Sequence, residues 1–289
     1  MGLFSLPTKE SLVGTLFLAL ILSYGALTAF FYFFQKSLIY FPTRPYFFTP
    51  DRVGVDYETV RFSTKDQKSL IGWFVPGDEN STVVLFFHGN AGNISDRVDT
   101  LKLWNQQGVT GFFIDYRGYG KSEGSPDEEG TYLDAQAAWD FLLTKKGFRP
   151  ENIIIHGRSL GGPIAAWLAS KNQAAGLILE STFISLPELG QSLYPFLPVK
   201  LLARVQYPTL QYLLKSECPV LVVHSKDDEI VPVTHGRTLA EECGERCQYL
   251  EIGGSHNEGF LQSRRNYIPG LKGFLSSLSN PSQMNQKNP

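Results

Sequence analysis

Residues 156–162 read "HGRSLGG". Four residues of strand character, "NIII" at 152–155, run into this stretch, and the helix-forming "PIAAWLAS" follows at 163–170. Glycines at 157 and 161 therefore fence Ser159 at a switch from strand to helix. So sharp a turn crowds its own backbone, and the flanking positions must lack bulk. A serine held there stands clear of the sheet and faces an arriving substrate. The same letters also describe a glycine-rich connection with an incidental serine, so the rest of the chain has to separate the two.

Outward from the turn the pattern is an alternation. "YETVRF" and "LIGWFV" read as extended segments, "TVVLFFHG" as a continuous apolar strand and "RVDTLKLWNQQ" as an amphipathic helix. The strand "GFFIDYRG" and the helix "TYLDAQAAWDFLLTKK" follow. Beyond the serine turn come the strand "AAGLILE", the strand "PVLVVH", the helix "THGRTLAEEC", the strand "CQYLEI" and a last helix over about 264–278. Strands without polar alternation, each followed by a helix, predict an α/β fold with a mostly parallel sheet covered by helices on both faces. Residues 181–217 break the rhythm with Pro187, Pro195, Pro198 and Pro208 among Leu, Phe and Tyr. A connection of that length inside an α/β domain is usually functional, and here it predicts a short cap over the site.

Between Glu10 and Lys36 there is no charge at all. A helix over 11–35 would cross a hydrocarbon core of about 30 Å with room for tilt. A cleaved signal peptide would have a shorter apolar core and a small-residue cleavage site, whereas this run ends in aromatics. The organisation expected is a tail over 1–10, a transmembrane anchor over 11–35, an aromatic neck over 36–54, a catalytic domain over 55–278 and a disordered polar tail over 279–289. Lys9 precedes the span and Lys36, Arg44 and Arg52 follow it, which places the C-terminal domain on the cytoplasmic side by the positive-inside rule.

The 289 residues are 43% hydrophobic and carry a formal net charge of -2 without a basic stripe, which argues against a nucleic-acid partner. Cys218, Cys243 and Cys247 imply no disulfide framework, and no histidine accompanies them as a zinc site would need. "GNAGN" lacks the lysine and Ser/Thr of a nucleotide loop. No metal or cofactor is expected.

A serine hydroxyl needs a histidine to take its proton, and the histidine needs a carboxylate to fix its tautomer. Of five histidines, His88, His156 and His224 sit at strand ends and His235 opens a helix. His256 lies in "GGSHNEG", a glycine-rich loop after the last strand that can swing over the sheet edge, and it is the expected base. The acid belongs in another loop at that edge, and "HSKDDEIVP" at 224–232 offers Asp227 and Asp228. The chain order Ser, Asp, His suits such a sheet. Asp115 and Arg117 in "DYRGYG" read as loop architecture, Glu180 as a strand end bonding nearby backbone, and Arg158 as an anchor of the serine turn.

In order, "FFHGNAGN", "DYRGYGKSEG", "HGRSLGG", "LEST", "HSKDDEIVP" and "GGSHN" resemble the α/β-hydrolase-fold serine hydrolases. More narrowly, they resemble the membrane-anchored group of the bud emergence protein type, related to α/β-hydrolase-domain lipid and depalmitoylating enzymes. The resemblance spans residues 37 to about 278. That family's acid loop, H-G-x-x-D-x-x-V-P, aligned on Val231 and Pro232, selects Asp228; Ser225 stands where glycine is usual. The family's oxyanion hole corresponds to the backbone of Asn90, or its neighbour Ala91, and of Leu160. The resemblance implies cleavage of an ester or thioester, of acyl or lipid type, through an acyl-serine. Acyl transfer or peptide cleavage by the same residues is the alternative, as is a silent membrane-tethered scaffold.

Overall fold

A computed structural model describes residues 9–78 and 82–279. The tail expected over 279–289 therefore lies outside the described residues, save Ser279, as do residues 1–8.

Eight strands form one sheet: β1 (Glu58–Ser63), β2 (Ser69–Val75), β3 (Val83–Phe87), β4 (Thr110–Ile114), β5 (Ile153–Arg158), β6 (Gly176–Glu180), β7 (Val220–Ser225) and β8 (Cys247–Ile252). Their spatial order is β8-β7-β6-β5-β3-β4-β2-β1. Strands β3 to β8 run parallel, while β1 and β2 form an antiparallel edge. The central strands are apolar throughout because both faces are covered. Successive side chains go to opposite cores: Val84, Phe86, Phe113, Ile154 and Ile178 to one, Leu85, Phe87, Phe112, Ile155 and Leu177 to the other.

The helices divide accordingly. Following the N-terminal helix α1 (Lys9–Phe33), α2 (Val98–Asn105) joins the first core, and α3 (Glu128–Thr144) and α4 (Gly161–Ala169) join the second. Three short helices, α5 (Leu186–Leu193), α6 (Val199–Leu202) and α7 (Thr209–Leu213), make the connection between β6 and β7. α8 (Val233–Cys243) lies on the second face, and α9 (Arg264–Ser279) closes the first. The fold is that of the α/β hydrolases, with a short cap inserted between β6 and β7.

α1 is the one described helix long and apolar enough to cross a membrane: Leu12–Phe33 has a mean hydropathy of 2.0 and is not buried in the protein. The neck that follows is bound to the domain. Phe41–Pro42 pairs in parallel with Ala91–Gly92, the Tyr40 and Tyr207 hydroxyls are 2.9 Å apart, and the Asn93 side chain donates to the carbonyls of Thr43 and Pro45.

Candidate active site

The site forms where β5 turns into α4. Ser159 sits at the turn with φ at 53°, in the left-handed region that a side chain rarely adopts. Three bonds hold it there: its N–H donates to Glu180 O at 2.9 Å, and its carbonyl accepts from Gly162 N–H at 2.9 Å and from the Thr182 hydroxyl at 2.7 Å. The two fencing glycines are required by contact. A Cβ on Gly157 would fall on the carbonyl of Gly161, and one on Gly161 would fall on the carbonyl of Phe87.

His256 comes from the loop after β8 and Asp228 from the loop after β7. His256 Nε2 is 3.0 Å from Ser159 Oγ, and His256 Nδ1 is 2.7 Å from Asp228 Oδ2. The acid loop is built around Asp228, whose Oδ1 accepts from the N–H groups of Ile230 and Val231 at 2.9 and 2.8 Å. His224 packs beneath, with Nε2 donating to Val231 O at 2.9 Å and lying 3.4 Å from Asp228 Oδ2. Burial would raise the Asp228 carboxyl, but hydrogen bonds from His224, His256 and the Val231 amide outweigh it and hold the carboxyl below its usual range. An ionised Asp228 has no proton to give, so Nδ1 of His256 donates and Nε2 is left to accept from Ser159.

Asp227 does different work. Its Oδ2 accepts from Gly254 N–H at 3.2 Å and ties the acid loop to the histidine loop. Ser225, in the slot usual for glycine, bonds Gly254 O through its hydroxyl and accepts from Asp227 N–H at 3.1 Å. The Glu229 carboxylate accepts from His256 N–H at 3.0 Å.

Ser159 and His256 open onto a cavity of about 370 Å³. Asn90, Ala91 and Leu160 line it near the serine, Phe183, Leu189 and Leu197 line the cap side, and Phe31, Gln35 and Leu38 close the far side. The Asn90 carbonyl accepts from the Tyr119 hydroxyl at 2.7 Å and from Phe41 N–H at 2.9 Å, which fixes the Asn90–Ala91 peptide. No described residue accepts a hydrogen bond from the backbone N–H of Asn90 or Leu160. The part played here by α1 and the neck has no signal in the sequence, because it depends on how one helix end leans on a distant loop.

Behind the serine turn the structure corrects one expectation. The Glu180 side chain does not bond backbone. It receives Tyr267 OH at 2.8 Å, lies 2.9 Å from His156 Nε2, and faces Arg158 Nη2 at 2.9 Å, off the line of a hydrogen bond. Arg158 also donates to Thr100 Oγ1 and lies over the Phe260 ring, so it does brace the turn. Asp115 and Arg117 are architectural as expected: Asp115 accepts from Tyr46 OH and Ile94 N–H, and Arg117 pairs with Asp66 and Asp134. Cys243 and Cys247 are free thiols.

The family model described as serine aminopeptidase, S33, matches residues 78–217. A Saccharomyces cerevisiae protein described as an uncharacterized membrane protein, YNL320W, is 34% identical over 84% of this chain and 89% of its own. Protein bem46 of Schizosaccharomyces pombe is 31% identical over 74% of this chain and 77% of its own. Among solved structures, the Pyrococcus furiosus esterase Pf2001 superposes with a TM-score of 0.67 at 22% identity, over 82% of this chain and 97% of that one, a likeness of fold. With this sheet order, this strand–serine–helix turn and these relatives, the chain belongs to the α/β-hydrolase family, in the group that includes bem46 and the yeast membrane protein.

Proposed function

We propose that the protein is a membrane-anchored serine hydrolase that cleaves esters or thioesters of apolar acyl chains, with Ser159 as nucleophile, His256 as base and Asp228 as the orienting acid. The observation that carries the reading is the unbroken series Asp228–His256–Ser159, at 2.7 and 3.0 Å, on the floor of an apolar cavity.

Ser159 Oγ attacks the acyl carbonyl carbon while its proton passes to His256 Nε2. The ionised Asp228 stabilises the imidazolium so formed. The oxyanion is received by the N–H of Leu160 and that of Asn90 or Ala91, and each such donor contributes a few kcal/mol to lowering the barrier. His256 then protonates the departing alcohol or thiol. Water, deprotonated by the same histidine, releases the acid and restores Ser159.

α1 acts as a single-pass span, and the basic residues after it put the catalytic domain on the cytoplasmic side. An aminopeptidase reading, suggested by the name of the matching family model, is disfavoured by charge. Among the described residues, the cavity lining includes Arg97 and Arg158 and no carboxylate to hold a free α-ammonium group. A panel of p-nitrophenyl esters, acyl thioesters and aminoacyl-p-nitroanilides tests the assignment. Turnover of the first two classes is expected, and turnover of the anilides alone would overturn it.

A further inference from the structure

Four contacts, along α1 and just past its end, set the depth of the cap beside it. The Tyr24 hydroxyl donates to the carbonyl of Phe196 at 2.9 Å. The rings of Phe31 and Tyr194 are 5.3 Å apart. Gln35, just past the helix end, clamps the cap with both ends of its amide: Nε2 donates to Leu202 O at 2.7 Å, and Oε1 accepts from Arg204 N–H at 2.8 Å. The cap from Tyr194 to Arg204 thus lies alongside the C-terminal half of α1. Tyr24 precedes Phe33 by nine residues, about 13 Å of helix. A span that starts at Leu12 fills a core of about 30 Å by about residue 31, which leaves Tyr24 about 10 Å inside the hydrocarbon.

We infer that the cap segment 193–201, with Phe196 deepest and Leu201 near the polar edge, is immersed in the acyl-chain region of one leaflet, so that the cavity over Ser159 opens sideways into lipid. The inference rests on α1 being a membrane span, as proposed above.

The segment has the surface that immersion requires, and most of its backbone is paired; of its N–H groups only those of Phe196 and Lys200 lack an acceptor among the described residues. Phe196 is 58% exposed and Leu201 85%, and both lie on the stretch that runs beside α1. In a monomer in water such side chains would be an unsupported apolar patch; against lipid they are solvated. Backbone polar groups in hydrocarbon must be satisfied within the protein. The N–H groups of Tyr194, Leu197, Val199, Leu201, Leu202 and Ala203 all find acceptors in the cap itself. Pro195 and Pro198 have no N–H to satisfy, and the Phe196 and Leu202 carbonyls are taken by α1 and Gln35. Three charges lie at the boundary. Arg204 lies over the Tyr32 ring at the end of the span, and the Lys200 ammonium is neutralised by Glu188 at 2.7 Å. Phe31 and Leu38 on one side and Leu193, Tyr194 and Leu197 on the other line the cavity that leads to Ser159. A substrate chain already in the leaflet would reach the serine without crossing water.

The test uses the full-length protein in phosphatidylcholine nanodiscs, with an NBD fluorophore on cysteine introduced by Phe196→Cys or, separately, Leu201→Cys. Controls are Leu18→Cys within α1 and Lys171→Cys, which lies past the end of α4 remote from the serine turn; the unsubstituted protein corrects for label on native cysteines. Emission from position 196 should be blue-shifted and should lose most of its intensity to lipids with a nitroxide on the acyl chain, as at position 18, while position 201 should be quenched by nitroxides near the top of the chain. Quenching at 196 and 201 no greater than at 171, or at 196 only by headgroup nitroxides, would overturn the inference while quenching at 18 keeps the span. Loss of quenching at 18 as well would remove the span and the inference together. None of these readings depends on catalysis, so they stand apart from the hydrolase assignment, and Leu201→Cys, at an exposed position, guards against misfolding at 196.

Discussion

His256 Nε2 lies 3.0 Å from Ser159 Oγ across 97 residues of sequence. The two meet because β5 and β8 are parallel strands that both end at the same edge of the sheet, and each hands over to a loop there. A parallel sheet collects strand ends in this way, which is why ligands bind at the carboxyl edge of such folds.

Asp228 and Asp227 are neighbours with unlike partners, and the difference is measurable. Asp228→Asn removes the carboxylate that orients His256 and should slow acylation by about 10⁴-fold, as in serine hydrolases generally. Asp227→Asn loosens only the tie to Gly254 and should change the rate far less. Burst kinetics with a p-nitrophenyl ester compare the two; the reverse order would move the acid to Asp227.

Gly157 and Gly161 should tolerate no side chain. Alanine at either position meets a backbone carbonyl, and relief by backbone shift costs about 1–3 kcal/mol or more. Gly273 in α9 has open space where a Cβ would go, so Gly273→Ala should raise stability by up to about 1 kcal/mol. Thermal unfolding of the three variants checks the contrast.

Stability should fall in acid in two stages. Burial lowers the pKa of His156 against the pull of Glu180, so the unfolded chain takes up that proton first, and stability declines as pH drops below about 6.5. Burial would raise Glu180, but Arg158 and the bonds from His156 and Tyr267 bring it from 4.5 to about 2. Its contribution is present above pH 4.5 and is lost as pH falls toward 2. Glu180→Gln should shrink that second stage to the part carried by the lowered carboxyls of Asp228 and Asp66 and, by leaving Arg158 uncompensated, destabilise by about 3–5 kcal/mol at neutral pH. Urea unfolding from pH 8 to 3 reads both effects, and an unchanged acid profile in the variant would contradict the assignment.

The same cluster marks where sequence reading stops. Ser159, Asp228 and His256 are legible because each follows a strand, the first two opening on unbroken apolar runs, at the one edge where loops converge, and glycines punctuate two of the three loops. Glu180 at the end of β6 carries no mark of its partners, since His156 and Arg158 come from β5 and Tyr267 from α9. The bridge of Phe41–Pro42 to Ala91–Gly92 is two residues long and leaves no periodic pattern. The seat of α1 against the cap rests on polar bonds from Tyr24 and Gln35 and ring contacts of Phe31 and Tyr32, in a run whose composition announces only a membrane span.

Acyl chain length should govern specificity. Each buried methylene stabilises a bound chain by about 0.8 kcal/mol, about fourfold in kcat/KM, until the cavity is filled. Removing residues 1–36 takes Phe31 and Gln35 out of the cavity wall and should flatten the climb. Acetyl to palmitoyl esters assayed in detergent with and without that segment decide the matter. A preference for acetyl that survives truncation would indicate a tethered short-chain esterase.

The most direct test of the account is to react the full-length protein with a fluorophosphonate and map the adduct by peptide mass spectrometry. The adduct should lie on Ser159 and disappear in Ser159→Ala and in Ser159→Gly, the latter suited to the positive φ at that position, while circular dichroism shows both variants folded. An adduct on another residue, or labelling that persists in either folded variant, would contradict the assignment of Ser159 as the nucleophile.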